Sequence, residues 1–118
     1  MPFKKLKIWQ KGMILLKGIY QLTDSFPKEE MHGLTAQMRR AAVSIPSNIA
    51  EGSQRKSNEE FANYILIAKG SLAELETQLI FANEMDCGTK EKNRKAEALV
   101  EEMSKMLHVF HAKLTTPH

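Results

Sequence analysis

The sequence predicts an all-α protein, an up-down-up-down antiparallel four-helix bundle. Apolar residues recur at spacings of three and four in four segments, and no segment alternates with the period of two that a strand requires. Glycines and prolines fall mostly between those segments, and short connections favour antiparallel neighbours. The predicted helices cover about residues 3–23, 31–51, 58–86 and 90–114, within one domain of residues 1–118.

Helix 1 carries one regular apolar stripe, which we predict to face the core. Its members alternate three and four residues apart, the spacing of a packed helical seam: Leu6, Trp9, Met13, Leu16 and Tyr20. Pro27, in "DSFPKEE", then breaks the segment because its ring forces a turn.

Helix 2 ends in the stretch "SIPSNIAEG", which interrupts a plain amphipathic pattern. Pro46 has no N–H to donate to the carbonyl of Ala42, so we expect the helix to bend there. We predict that Gly52 adopts the left-handed conformation that ends many helices. The predicted inner face consists of Leu34, Met38, Ala41, Ile45 and Ile49.

Helices 3 and 4 have recognisable start and stop signals. Ser57 and Glu60 fit a capping box, Gly88 stops helix 3, and Thr89 can cap helix 4. The predicted core face of helix 3 is Phe61, Tyr64, Ile65, Ala68, Leu72, Leu75, Leu79 and Ala82. The predicted stripe of helix 4 is Ala96, Leu99, Val100, Met103, Met106, Leu107, Phe110 and Leu114.

Helices 1 and 3 carry a second apolar stripe, more than one core requires. Ala62 belongs to the second stripe of helix 3 as well, although it is not one of the predicted interface residues. We predict that these stripes form a subunit interface, because a monomer rarely exposes such patches. Wide apolar faces suited to inner helices are the alternative. The predicted interface residues are Ile8, Leu15, Ile19, Leu22, Leu66, Ala73 and Ile80.

A mixed polar stripe runs beside the core face of helix 2 and continues on helix 3. A solvated face would consist mostly of lysine and glutamate, so this mixture indicates a buried network. In an antiparallel hairpin Arg40 lies opposite Glu74, and we predict that the two pair. The alternative is a ligand site. The predicted network is Gln37, Arg40, Ser44, Asn48, Glu51, Ser71 and Glu74.

The composition excludes several classes of protein. No apolar run approaches the roughly 18 residues of a transmembrane helix, so we expect no membrane partner. The single Cys87 rules out an internal disulfide, which fits a reducing cytoplasmic setting. We find no phosphate loop, metalloprotease or nucleophile-elbow motif, and therefore predict no enzymatic activity and no cofactor.

One short pattern resembles a metal site. Glu29 and His32 have the E-x-x-H spacing of di-iron bundles, which require two such copies in the middle of the bundle. Only one copy is present, beside Pro27, so we predict no metal. His108 and His111 are expected at a solvent edge.

Basic residues concentrate near the N-terminus and near the turn between helices 2 and 3. Lysine and arginine bind phosphate without reading bases, and few aromatic residues are free to stack on them. An ordinary solvated lysine face is the alternative. The candidate nucleic-acid-binding residues are Lys4, Lys5, Lys7, Lys11, Arg39, Arg55 and Lys56.

Residues 33–79, "GLTAQMRRAAVSIPSNIAEGSQRKSNEEFANYILIAKGSLAELETQL", carry a family resemblance. The Q-x-R-R-A, S-I-x-x-N-I-A-E-G and G-S-x-x-E-x-E-T motifs resemble the four-helix-bundle proteins encoded in intervening sequences of bacterial 23S ribosomal RNA genes. That resemblance implies a bacterial cytoplasmic homo-oligomer, a pentameric ring. It also implies kinship with accessory proteins of diversity-generating retroelements, which bind nucleic acid and a partner protein.

Two functions remain open from the sequence. The first is a non-enzymatic oligomeric adaptor that binds the backbone of RNA or DNA. The alternative is a structural or protein-binding homo-oligomer without affinity for nucleic acid.

Overall fold

The computed structural model describes residues 2–117, apart from the side chain of Met31, and confirms a bundle of four α-helices. The helices are α1 (Lys7–Thr23), α2 (Ala36–Ser53), α3 (Asn58–Glu84) and α4 (Lys90–Thr115). A 3₁₀ turn, Phe3–Lys5, precedes α1. A second 3₁₀ turn (Lys28–Glu30) and a π-helical stretch (Met31–Thr35) lead into α2. No strand occurs among the described residues.

Contacts at separate levels of each helix pair show that neighbouring helices are antiparallel. Each helix packs mainly against two others in the cyclic order α1, α2, α3, α4, so α1 and α3 occupy opposite corners of the bundle. The pairs are Gly12–Pro46 and Thr23–Arg39 for α1 and α2, Ser44–Ser71 and Gly52–Phe61 for α2 and α3, and Lys11–Glu102 and Gly18–Leu99 for α1 and α4. For α3 and α4, Phe61 contacts Phe110, and Leu79 and Val100 line the same hollow.

The core face of α1 is not the stripe that the sequence pattern favoured. The four residues assigned there to a subunit interface are between 0% and 4% exposed in the single chain: Ile8, Leu15, Ile19 and Leu22. Their assignment to an interface is therefore wrong. The stripe predicted as core lies on a flank, where Tyr20 is 45% exposed. Both stripes have helical spacing. The N-terminal turn partly covers the stripe that contains Trp9, because Phe3 packs edge-on against the Trp9 ring at 5.3 Å.

The other three predicted core faces are confirmed in the described residues, except that Tyr64 of α3 is only half-buried and lies against Arg55. Met38, Ile45 and Ile49 of α2 are fully buried, as are Ile65 and Leu75 of α3. On α4 the buried stripe is Ala96, Val100, Met103 and Leu107, with Leu99, Met106, Phe110 and Leu114 packed at its margin.

The second apolar stripe of α3 behaves differently from that of α1. Leu66 is 49% exposed and Ile80 is 56% exposed, and Ala73 between them is also exposed. Ala62 is buried. The assignment of Leu66, Ala73 and Ile80 to an interface stays a prediction.

Gly52 has a different role from the one predicted. Among the described residues Gly88 is the only glycine with a positive φ, at 79°, so Gly52 is not a left-handed helix end. Gly52 is buried inside α2, which continues to Ser53. A Cβ at position 52 would lie 2.6 Å from the Cβ of Tyr64 and 2.8 Å from Cδ1 of Phe61. Glycine is needed here because α2 and α3 approach too closely for a side chain.

The helix starts are capped as the sequence indicates. The amide of Glu60 donates to Ser57 Oγ at 3.1 Å, and the amide of Lys92 donates to Thr89 Oγ1 at 3.2 Å. The Glu60 carboxylate does not reach a backbone amide; its Oε2 accepts from Ser57 Oγ at 3.4 Å.

Pro46 lies within α2 and is buried at its contact with α1. A Cβ at Gly12 would lie 3.4 Å from the Cβ of Pro46, so the proline ring packs directly on the α1 backbone. The contact between α1 and α2 therefore pairs Gly12, which has no side chain, with Pro46, which has no amide hydrogen.

The polar network between α2 and α3 centres on a pair of hydroxyl groups. Ser44 Oγ and Ser71 Oγ lie 2.8 Å apart, and Asn48 Nδ2 donates to Ser44 Oγ at 2.9 Å and to the Ser44 carbonyl at 2.7 Å. These bonds fix the register of the α2–α3 hairpin.

The predicted Arg40–Glu74 pair is wrong. Among residues 2–117, Arg40 makes no ion pair and its side chain is exposed, as is that of Gln37. Glu74 Oε1 instead accepts from Gln78 Nε2 at 3.3 Å on the same helix. The hairpin register brings the two positions opposite each other, but both side chains project outward, where water solvates the charges.

We predict that Gly52→Ala destabilises the protein by about 1–3 kcal/mol, because the added methyl overpacks the contact with Phe61 and Tyr64. Gly70→Ala is the matched control: position 70 is also inside a helix, but a Cβ there meets nothing within 4 Å. The control should gain about 0.5–1 kcal/mol. Urea unfolding followed by circular dichroism, at one protein concentration, measures both. Equal stability of the two variants would contradict the close approach at Gly52.

We also predict that the Ser44→Ala and Ser71→Ala substitutions are not additive. Each single change should cost about 1 kcal/mol, because it removes the bond between the two hydroxyls. The double variant should cost less than the sum by about 0.5–1 kcal/mol, since the shared bond can be removed only once. Urea unfolding of the four proteins gives the coupling energy, and a value of zero would mean that the pair does not set the register.

Candidate functional site

The N-terminal turn presents the first group of candidate residues. Lys4 and Lys5 lie in the 3₁₀ turn and Lys7 is the first residue of α1, and all three are exposed. Gln10 Nε2 donates to the Lys4 carbonyl at 2.9 Å, which ties the turn to α1. Among residues 2–117 these lysines make no ion pair, so their ammonium groups remain available to an anion.

Lys11 is already engaged within the bundle. Its Nζ lies 2.7 Å from Oε1 of Glu102, and this ion pair joins α1 to α4. Its side chain is about one quarter exposed, at 26%. We therefore remove Lys11 from the candidate nucleic-acid site.

Arg39 is engaged at the contact between α1 and α2. Its Nε donates to Thr23 Oγ1 at 2.9 Å and its Nη2 donates to Asp24 Oδ1 at 3.0 Å. The guanidinium lies over the ring of Tyr20, 4.2 Å from the centroid. Thr23 in turn donates to the Ile19 carbonyl. The arrangement joins the end of α1 to α2, and these hydrogen bonds use two of the five N–H donors of Arg39.

Arg55 forms a similar cluster at the turn between α2 and α3. Its Nη2 donates to Glu51 Oε1 at 2.9 Å and to the hydroxyl of Tyr64. Its guanidinium lies 4.8 Å from the centroid of the Tyr64 ring, and the Tyr64 hydroxyl donates to Glu51 at 3.2 Å. Lys56, the next residue, is exposed and has no ion pair among residues 2–117.

The antiparallel order gathers at one end of the bundle five exposed lysines that make no ion pair among residues 2–117. α1 and α3 begin there, and α2 and α4 end there. We call this end, with Lys4, Lys5, Lys7, Lys56 and Lys113, the basic end. Glu51 at that end is neutralised by Arg55, whereas Glu59 and Glu60 start α3. Arg39 lies at the opposite end, so the predicted residues do not form one site.

Two lysines of α4 were not among the candidate nucleic-acid-binding residues chosen from the sequence. Lys105 and Lys113 line a hollow of about 410 Å³ together with Lys7, and Val109 and Phe110 form part of its apolar floor. The signal was present in the sequence, because positions 105, 109 and 113 are four residues apart and therefore share one face of a helix.

The arrangement of lysines at the basic end is suited to binding negative charge and not to recognising individual bases. Lysine ammonium groups bind phosphate as point charges. The rings of Tyr20 and Tyr64 are covered by arginines, which leaves them poorly placed to stack on bases. The basic end therefore offers contacts to a phosphate backbone.

The described residues offer little for catalysis or metal binding. Residues 2–117 contain no group of three or more histidine, cysteine or acidic side chains placed to hold a metal ion, and this range includes Glu29 and His32. Cys87 is buried, and burial raises the pKa of its thiol, with the Glu30 and Asp86 carboxylates acting in the same direction. The thiolate is therefore disfavoured at neutral pH. In the same range no helix has the length and hydropathy to cross a bilayer.

Known proteins share this architecture. The family model described as "23S rRNA-intervening sequence protein" matches residues 4–109. A search of curated proteins gives no significant match. A crystal structure of a protein of unknown function from the S23 ribosomal protein family of Bacteroides thetaiotaomicron superposes with a TM-score of 0.79. The two are 24% identical over 92% of this chain and 99% of the other, a likeness that establishes the fold.

The family match covers nearly all of the described helices, including the α2–α3 hairpin with its serine pair and the lysine-bearing start of α1. The chain belongs to the 23S rRNA-intervening sequence protein family.

Proposed function

We propose that this protein is a non-enzymatic, oligomeric adaptor that binds the phosphate backbone of RNA or DNA. The observation that carries the proposal is the set of lysines at the basic end that have no ion pair among residues 2–117, above all Lys4, Lys5 and Lys56. Clustered cations release counterions from nucleic acid when they bind it, which supplies affinity without sequence preference.

Oligomerisation makes such a site effective. One copy offers only a few phosphate contacts, which give weak binding at physiological salt. An assembly repeats the basic end once per copy, and the later contacts form at high effective concentration. The exposed apolar residues Leu66 and Ile80 of α3 support self-association, because a monomer rarely leaves such a stripe in water. A pentameric ring of the kind implied by the family resemblance would repeat the site five times.

One observation favours the second candidate, a structural or protein-binding homo-oligomer without affinity for nucleic acid. Lys11, Arg39 and Arg55 each pair with a carboxylate of the same chain. Three of the seven basic residues singled out in the sequence therefore serve the fold. In this second function the lysines of the basic end only keep the protein soluble.

We further propose that the protein works in the cytoplasm and has no covalent chemistry of its own. The single cysteine, Cys87, is buried, which suits a compartment that keeps thiols reduced. A backbone-binding adaptor requires no nucleophile, so the absence of a metal cluster among residues 2–117 is compatible with this role.

The test replaces Lys4, Lys5 and Lys56 by glutamate and measures binding to a structured RNA by fluorescence anisotropy over a series of salt concentrations. The affinity should fall about tenfold or more near 0.1 M salt. The slope of log affinity against log salt should decrease by about 2–3, close to one unit for each phosphate that the variant no longer neutralises.

The matched control reverses three exposed basic residues at the opposite end, Lys28, Lys90 and Arg94, which changes the net charge equally. The control should retain much more affinity than the test variant. An equal decrease in the two variants would indicate general charge attraction, and no RNA binding by the unaltered protein would favour the second candidate function.

A further inference from the structure

The outward face of α3 carries an uncharged ridge along its length. Two pairs of large apolar residues are each about half exposed: Leu66 with Ile67, and Ile80 with Phe81. The exposed positions between them, directly opposite the buried face, are the small residues Gly70, Ala73 and Thr77. We call this set the α3 ridge.

The side of the bundle formed by α1 and α4 carries a complementary groove. Its first hollow, of about 410 Å³, has Ile8, Met106, Val109 and Phe110 in its lining. Its second hollow, of about 480 Å³, is lined by Ile14, Gly18 and Leu99 among others. The Lys11–Glu102 ion pair lies between the two hollows. We call the two hollows together the α1–α4 groove.

The spacing of the ridge and the groove agrees. The two apolar pairs of α3 are 14 residues apart, which is about 21 Å at a rise of 1.5 Å per residue. The α4 residues that line the two hollows are centred about 12 residues apart, which corresponds to about 17–18 Å. Both spacings are three to four helical turns. The small residues of the ridge then face the Lys11–Glu102 pair, where a large side chain would hold the two surfaces apart.

The charges of the two surfaces are opposite. The only acid that lines the groove is Glu102, which Lys11 neutralises, and six lysines line it: Lys7, Lys17, Lys92, Lys95, Lys105 and Lys113. Lys105 pairs with Glu101 of the same helix at 3.5 Å, which leaves five lysines without an ion pair among residues 2–117. The α3 ridge is bordered by four glutamates and one lysine: Glu59, Glu74, Glu76, Glu84 and Lys69. An acidic amphipathic helix is the partner that such a groove would select, and α3 of a second copy has that chemistry.

We propose that the α3 ridge of one copy docks into the α1–α4 groove of the next copy, so that the assembly is head-to-tail. α1 and α3 are at opposite corners of the bundle, and therefore a copy cannot fill its own groove. A contact between two different surfaces generates a ring or a filament, in contrast to a two-fold dimer in which the same patch meets itself. This inference rests on the homo-oligomer in the proposed function and names the surfaces that build it.

The docking divides the lysines of the protein into two groups. Those of the groove, including Lys7 and Lys113 at the basic end, meet carboxylates of the neighbouring copy. Lys4, Lys5 and Lys56 line neither hollow and stay available for phosphate. The assembly therefore leaves one basic cluster per copy exposed.

The test uses two double variants that each disable one surface. The groove variant is Ile14→Asp with Val109→Asp, and the ridge variant is Leu66→Asp with Ile80→Asp. All four positions are between 49% and 56% exposed, so the changes spare the core. The control is Val43→Asp on α2, an exposed apolar position outside both surfaces. Light scattering coupled to size exclusion gives the mass of each protein without nucleic acid.

The expected result is an oligomer for the unaltered protein and the control, and a monomer for each double variant. An equimolar mixture of the two double variants should form a one-to-one dimer and nothing larger, because it contains one intact ridge and one intact groove that can meet. Circular dichroism should show unchanged helix content in every variant. Double variants that remain oligomeric, or a mixture that stays monomeric, would overturn the head-to-tail contact while leaving the proposed function standing. A monomeric unaltered protein would overturn both this contact and the oligomer in the proposed function.

A charge-reversal pair provides the same test if the aspartates lower the helix content. Lys17→Glu with Lys95→Glu reverses the groove, and Glu76→Lys with Glu84→Lys reverses the ridge. Each alone should weaken self-association about tenfold or more. Mixing the two should restore association into filaments or even-numbered rings, in which the two variants alternate and every contact joins opposite charges; a five-membered ring would leave one contact between like charges. A mixture that associates no better than its components would overturn the contact.

Discussion

The close packing of α2 against α3 is the constraint on which the rest of this bundle depends. Gly52 lets the two backbones approach next to Phe61 and Tyr64, and the Ser44–Ser71 bond fixes their register some two turns away. With the register fixed, the turn that holds Lys56 lies at the end of the bundle where α1 begins. The lysines at positions 4, 5 and 56 are therefore gathered by backbone packing and not by any attraction among themselves, because like charges repel.

The basic residues of the chain fall into two groups with different physical roles. Lys11, Arg39 and Arg55 are each held by a carboxylate, and the two arginines also cover tyrosine rings, so these residues join helices to one another. Exposed lysines without an acidic partner among residues 2–117 contribute little to the fold. Five of them cluster at the basic end, where they raise the local positive potential and favour anionic ligands. The proposed binding of nucleic acid thus depends on lysines that contribute little to the stability of the fold.

Apolar periodicity was enough to predict four helices, their order and most of the core faces of α2, α3 and α4. The reason is that α2 and α4 each have a single regular stripe, and on α3 the longer of the two stripes is the buried one. Periodicity could not decide between the two stripes of α1, since both have helical spacing and the choice depends on which flank the neighbouring helices cover. The role of Gly52 was misread for a related reason: a glycine near a helix end fits a left-handed cap and a close backbone contact equally well. The engagement of Arg39 depends on Thr23 and Asp24 at the far end of α1, and a single linear sequence does not reveal that proximity.

The basic end is the surface that we propose meets nucleic acid. Acylation of lysines with and without a structured RNA, read out residue by residue by mass spectrometry, tests this role on the unaltered protein. RNA should slow the modification of Lys4, Lys5 and Lys56 and leave Lys28 and Lys90 at the opposite end unchanged. Uniform protection of all exposed lysines, or protection confined to the opposite end, would contradict the assignment.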